Sequence, residues 1–437
     1  MFSYYLRLAR LSILRNPVIS TLMVLALALG IGASMTTLTV YYTMSKDPIP
    51  EKSEHLLAVQ LDTGDPAREP TRGAEDLPHN MTYTDASNLM RLDTPTQHKA
   101  AIFAASGLII PPAADAKPVS VSLRATYRDF FPMFNVPFRY GDRWSQAADE
   151  GEPVIVLSRQ LNEDLFAGEN SVGKKIKMGS EYYTVTGVID WDATYAWYDP
   201  YPRVTQEAEM AYLPLNTQAR VDPMNLNGNV SCWQPQPIPD QAAFLASECV
   251  WVMFWAEVSG PAEQAELQAF LDNYASEQKA VGRHPRPVNN YLTPLMDWLK
   301  LNKVTGKDSR ILVGLSFLFL LVCIINAVGL LIAKFFGKTT DVSVRRALGA
   351  SRGDIFTQNL IEVSLIGVLG GILGLAFAWL GLRAVESMYR GYDNLVHLDS
   401  MMIVTAMIIA LLAALLAGLY PSWRVSNLPP AQYLKTQ

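Results

Sequence analysis

Charge and histidine are both scarce in this chain. Asp, Glu, Lys and Arg make up 18% of its 437 residues, with 36 Lys+Arg against 41 Asp+Glu. The acid surplus argues against a nucleic-acid binder, and a content of 50% hydrophobic residues argues against disorder. The five histidines (His55, His79, His98, His284, His397) include no i, i+4 pair, and H-E-x-x-H, C-x-x-C and G-x-S-x-G are missing. No zinc site or nucleophile elbow is therefore indicated, and the histidines read as scattered surface residues. What the sequence does have is four uncharged runs: 30 residues between Arg15 and Lys46, 23 between Arg310 and Lys334, 20 between Glu362 and Arg383, and 24 between Asp399 and Arg424. Each reaches the roughly 20 residues that cross a bilayer's hydrocarbon, which argues against a soluble enzyme.

Basic residues beside membrane segments resist translocation, so their placement orients the spans. Arg7, Arg10 and Arg15 precede the first span without an acid. Lys334, Lys338, Arg345, Arg346 and Arg352 outnumber Asp341 and Asp354 between the second and third, and Arg424 and Lys435 follow the fourth. These pieces belong in the cytoplasm. Residues 43–310 hold 24 basic and 35 acidic residues, and Glu386, Asp393 and Asp399 face Arg390 in the loop after the third span, so both regions belong outside. The fold class expected is a membrane protein of four transmembrane α-helices with a large α+β extracytoplasmic domain. Its divisions are an interfacial helix over 1–17, spans at 18–45 (with a stalk), 308–333, 360–385 and 401–421, an outer domain over 46–307, a coupling loop over 334–359, a short outer loop over 386–400 and a tail over 422–437. A signal peptide is the alternative for the first run, but the run is about twice the usual apolar core and no clear A-x-A site follows.

Residues 55–62, 117–123, 153–158, 181–190, 209–215 and 250–258 read as strands, and 82–92, 159–166 and 261–281 as helices, with Thr82 or Thr84 as an N-cap. The outer domain has no regular βαβ spacing, so α+β in one or two lobes follows. Cys232 and Cys249 fall in this domain, where an oxidising compartment permits a disulfide without requiring one, while Cys323 reads as a small apolar filler in the second span. Gly168 to Lys175 has the spacing of a phosphate-binding loop, but Lys175 stands where a hydroxyl is needed and a strand follows instead of a helix, so it reads as a turn into a hairpin. Trp191, Tyr195, Trp197, Tyr198 and Tyr201 form either a contact surface or a loop packed on its own domain.

The segment between the second and third spans is the most informative. On one helical flank sit Val342, Val344, Leu348 and Ile355, on the other Arg345, Arg346 and Arg352, with Gly349 and Ser351 marking a turn between two short helices. Such a basic amphipathic piece either rests on anionic headgroups or docks as a knob in a cytoplasmic partner. In the third span Gly367/Gly371 and Gly370/Gly374 form overlapping small-xxx-small pairs that allow close helix packing, and Asn326 in the second can hydrogen-bond across an interface or within its own bundle.

The stretch "DVSVRRALGASR" at 341–352 resembles the E-I-G-x-R-R-A-L-G-A-S/T-R signature of FtsX-like permeases. The likeness continues through "GVLGGILGLAFAWLG" to "YPSWRVSNLPPAQYLK", and "VIVLSRQLNEDLFAGENSVGKKIKMGSEYYTVTGVI" resembles the periplasmic core domain of MacB-type ABC transporters. Asp341 stands where Glu is usual, and the tail is less basic than the common pattern. The resemblance implies the permease subunit of an ABC transporter in the bacterial inner membrane, pairing with a second copy or a related permease, with no catalytic residue and no metal. A cytoplasmic ATPase would grip Val344, Arg345, Arg346, Ala347, Leu348, Gly349, Ala350 and Arg352 and supply the bound ATP and Mg. Only 17 residues precede the first span, so that ATPase is expected as a separate subunit. The resemblance further implies mechanotransmission, in which ATPase closure moves the outer domain for export or extraction, in some relatives with a periplasmic adaptor and an outer-membrane channel. The alternative is an FtsX-like scaffold that activates a periplasmic hydrolase or sensor and moves no solute.

Overall fold

The computed structural model describes residues 2–67, 73–111, 117–191, 196–202, 209–222, 224–234, 237–304, 307–388 and 400–428. Tyr195, Arg390, Asp393, His397, Asp399, Lys435 and most of the expected short outer loop and tail lie outside them. The chain divides into two compact units, Met1–Lys46 with Thr305–Gln437, and Asp47–Val304. In chain order α1 (Phe2–Arg15) and α2 (Pro17–Ser45) lead into β1 (Leu56–Gln60), β2 (Met81–Thr82), α3 (Tyr83–Arg91), β3 (His98–Ile110), β4 (Val119–Thr126) and α4 (Phe130–Met133). Next come β5 (Phe138–Gly141), β6 (Val154–Ser158), α5 (Arg159–Phe166), β7 (Lys175–Met178), β8 (Glu181–Ile189), β9 (Ala211–Pro214), α6 (Leu215–Val221) and α7 (Gln241–Leu245). The chain continues with β10 (Val250–Glu257), α8 (Pro261–Ala280), β11 (Tyr291–Pro294), α9 (Leu295–Leu301), α10 (Lys307–Phe336), α11 (Thr339–Ala347), α12 (Arg352–Met388) and α13 (Ser400–Ser426).

In the helical unit, Pro17–Thr43, Arg310–Phe336, Arg352–Val385 and Ser400–Ser426 are long and apolar enough to cross a membrane. α2 and α13 pack on α12 and α10, and α1 lies against α12. The two glycine pairs serve different neighbours. A Cβ on Gly371 would stand 2.8 Å from the Ala410 Cβ, whereas one on Gly374 would stand 2.9 Å from Ile31 Cγ2. Gly367 likewise meets Ala414 of α13, and Gly370 meets Leu27 of α2. Cys323 is buried against Gly30.

The other unit is built on one mixed sheet in the order β11-β1-β10-β3-β4-β9-β6-β8-β5, with β2 on β10 and β7 on β3 and β8. β3 ties the sheet together: its residues 98–102 pair with β10 and its residues 103–109 with β4. Both faces are covered, which is why the strands read as continuous apolar runs and not as alternations. Leu57, Phe103 and Phe254 enter one buried cluster while Leu56, Ile102 and Trp255 enter the other. Trp197 and Tyr198 are buried in the second cluster with Trp191 packed against it, so these three rings pack on their own domain, while Tyr201 is exposed and Tyr195 lies outside the described residues. Gly168 to Lys175 forms the turn into the β7–β8 hairpin, with φ of 83° at Gly173. Cys232 and Cys249 are joined by a disulfide with Cα atoms 4.3 Å apart.

Candidate coupling site

At the end of the helical bundle where α10 gives way to α12, the chain makes a tight helix–turn–helix. Gly349 adopts φ of 105°, its N–H bonds Arg346 O at 3.2 Å, and the Ala350 N–H bonds Arg345 O at 3.1 Å, which is a Schellman ending for α11. Ser351 and Asp354 then close a capping box: Asp354 N–H donates to Ser351 Oγ at 3.1 Å and Ser351 N–H donates to Asp354 Oδ2 at 3.0 Å. The second helix is not short. It runs on as α12, so the expected coupling loop 334–359 includes the end of α10 and the start of α12, with 337–351 between the two helices.

The turn changes which side chains face out. Ile355 is buried and Val342 half-buried against the bundle, while Leu348 is 84% and Val344 42% exposed, so these four apolar positions do not share one flank. The Gly349 turn breaks the helical phase between them. Ala347 and Gly349 are exposed as well. The arginines turn back onto the bundle: Arg345 donates to Gln358 Oε1 at 2.8 Å, Arg346 to Leu428 O at 2.6 Å, and the exposed Arg352 to Asn427 Oδ1 at 3.4 Å. The result is an apolar knob on a base fixed by hydrogen bonds.

Beneath the knob lies a buried charge cluster absent from the sequence reading. Lys334 Nζ is 2.7 Å and Lys338 Nζ 3.3 Å from Glu362 Oε1, with the Lys334 and Glu362 side chains 0% and 2% exposed. Ser12 donates to Glu362, Lys338 donates to Ser12, and Lys334 donates to Ser20 Oγ at 2.9 Å. Burial lowers the Lys338 ammonium from its ordinary range against the pull of Glu362. The cluster joins α1, α2, α10 and α12, and α11 begins one residue after Lys338. A cavity of about 330 Å³ opens beside it between α1 and α11, lined by Arg15, Lys338, Arg345 and the buried Asn359, whose Nδ2 has no partner among the described residues. The readable signals were the Ser351-x-x-Asp354 spacing and a lone Glu at the margin of an apolar run. Asn326 is exposed on α10 and makes no hydrogen bond among the described residues.

In the sheet unit, no group of metal-binding side chains occurs among the described residues. His284 corrects the surface reading: it is buried, with Nε2 3.3 Å from Asp85 Oδ2. Asp85 also accepts from Arg283 at 2.9 Å, Tyr274 at 2.7 Å and Thr82 at 2.7 Å, which fastens α3 to α8 and the segment after it. Burial alone would raise this carboxyl, but His284, Arg283 and Thr82 hold it at about 2. A second cluster places the fully buried Arg124 2.8 Å from Asp199 and in contact with Glu209, to which Tyr198 donates. These ion pairs tie elements of the sheet unit to one another.

Residues 20–269 match the MacB-like periplasmic core domain, and residues 313–430 match the FtsX-like permease C-terminal domain. The chain belongs to the MacB/FtsX-type ABC transporter permeases. This permease is 26% identical over 135 residues to an uncharacterized ABC transporter permease, YknZ, of Bacillus subtilis, covering 31% of this chain and 33% of that one. It is 30% identical over 160 residues to the macrolide export ATP-binding/permease protein MacB of Burkholderia lata, covering 36% and 23%. The permease thus spans a third or less of either relative. The crystal structure of the periplasmic region of MacB from Actinobacillus actinomycetemcomitans aligns with a TM-score of 0.35 at 13% identity, over 58% of this chain and 94% of that one. The four apolar helices and the match of residues 20–269 to the MacB-like periplasmic core domain make the permease a membrane protein with a periplasmic domain.

Proposed function

We propose that this permease is a mechanical transducer: a separate cytoplasmic ABC ATPase, which binds ATP and Mg, grips α11, and its closure drives a conformational change in the periplasmic domain for export or extraction of a substrate. Both termini then lie in the cytoplasm of a bacterial inner membrane, and the permease works as a pair with a second copy or a related permease. One observation carries the reading. Val344 on the last turn of α11 and Leu348 at its end are exposed, while Arg345, Arg346 and Arg352 around them are tied back to the bundle. Exposed apolar side chains on a fixed base suit a socket in a partner, because the apolar surface is buried on docking while the base loses little freedom.

The test is Leu348→Glu with Val344→Ser. Neither side chain supports the fold, so membrane insertion and thermal stability should hold while co-purification with a co-expressed partner ABC ATPase falls at least about tenfold. Full retention of the ATPase by that double variant would refute the docking role. Charge reversal at Arg345 and Arg346 is a poorer probe, since it also breaks the bonds to Gln358 and Leu428.

A further inference from the structure

On the side of α1 away from the coupling cluster, a groove of about 540 Å³ runs between α1 and the start of the apolar part of α12. Ile13, Leu14, Leu365 and Leu369 form its apolar length, and Arg7 and Arg10 stand at its polar end. No carboxylate lines it. Both arginines are exposed, and among the described residues neither makes a hydrogen bond or ion pair, unlike Arg15, which reaches Asp341 at 3.8 Å. Leu14 is 62% exposed beside them.

We propose that this groove holds one anionic phospholipid, its phosphate against Arg7 and Arg10 and an acyl chain along Leu365 and Leu369. The two halves of the groove point to one amphiphile, since a free anion leaves the apolar length unfilled. Moving a chain from bilayer to groove gains no hydrophobic free energy, because lipid tails are as apolar as leucine. Selection therefore rests on headgroup charge. Each basic side chain at an anionic leaflet is worth about fivefold in binding, so two favour an anionic over a zwitterionic headgroup by about 25-fold. A lipid held there steadies α1, which supplies Ser12 to the buried cluster.

The full chain, purified in detergent and delipidated, is titrated with phosphatidylglycerol or phosphatidylcholine and read by native mass spectrometry. Phosphatidylglycerol should be retained in about 25-fold preference, falling to within about threefold in Arg7→Gln/Arg10→Gln. Leu369→Trp, which fills the groove with both charges intact, should lower phosphatidylglycerol retention at least about tenfold, while Arg383→Gln at the far part of α12 changes nothing. An excess of inorganic phosphate should not displace the lipid. Equal retention of the two lipids by the unaltered chain, a preference that survives loss of both arginines in a variant with unchanged circular dichroism, undiminished binding by Leu369→Trp, or displacement by phosphate alone would each overturn the proposal.

Discussion

Replacing Glu362 by Gln removes one charge and keeps the shape, so the effect isolates what the carboxylate does for its two ammoniums. At an effective dielectric of about 20, its attractions to Lys334 at 2.7 Å and Lys338 at 3.3 Å come to about 6 and 5 kcal/mol before desolvation. Desolvating three ions offsets much of that, and breaking a buried pair by removing one partner typically costs about 3–5 kcal/mol. The loss falls mainly on Lys334, because its side chain is fully buried whereas that of Lys338 is 22% exposed and can be hydrated. Glu362→Gln should therefore destabilise the bundle by about 3–5 kcal/mol, and Lys334→Met/Glu362→Met by less than about half as much. Equilibrium unfolding in mixed detergent micelles, followed by helical circular dichroism, measures both. A cost below about 1 kcal/mol for the single variant, or a double variant as damaged as the single one, would refute the account of a mutually dependent buried cluster.

How much of this was legible beforehand depended on whether a local pattern survives packing. The six apolar runs are strands because Val, Tyr, Phe and Trp fit a pleated surface buried on both faces. β3, the longest strand among the described residues, carries no comparable signal, since Ala, Ser and Gly break up the Ile, Phe and Leu of "HKAAIFAASGLII". Its small residues answer to close neighbours: a Cβ on Gly107 would stand 2.7 Å from Met178 Sδ and 2.9 Å from Leu123 Cδ1. The turn at Gly349 was readable, but its effect on facing was not, because a single helical period was carried through a residue at positive φ. Glu362 served only to end an apolar run. Whether a charge at such a margin meets water or another helix is decided by Lys334 and Lys338, 28 and 24 positions away in sequence and on a different element.

Two further consequences concern acid stability and pairing. Asp85, held at about 2, contributes stability that is complete above the ordinary carboxylate pKa and is lost as pH falls from about 4 through 2. Asp149 has the opposite sign: burial pushes it up to about 6 despite bonds from Trp144 Nε1 and Arg128 N, so its contribution is complete below about 4 and is lost as pH rises through 6. Thermal midpoints of the full chain from pH 2 to 7 should show Asp149→Asn flattening the fall between about 4 and 6, and an unchanged slope would refute the assignment. Asn326 makes the sharper claim. An amide facing hydrocarbon without a partner costs several kcal/mol. The exposed positions Leu315, Phe319, Val322, Asn326, Gly329 and Ala333 alternate steps of four and three, which is the spacing of a seam between two supercoiled helices. In a Cys323→Ala background, cysteines at Val322 and Asn326 should cross-link paired permeases in membranes, while those at Phe317 and Leu321, about 100° or more round the helix, should not. Cross-linking without that periodicity would leave the amide facing lipid and the seam without support.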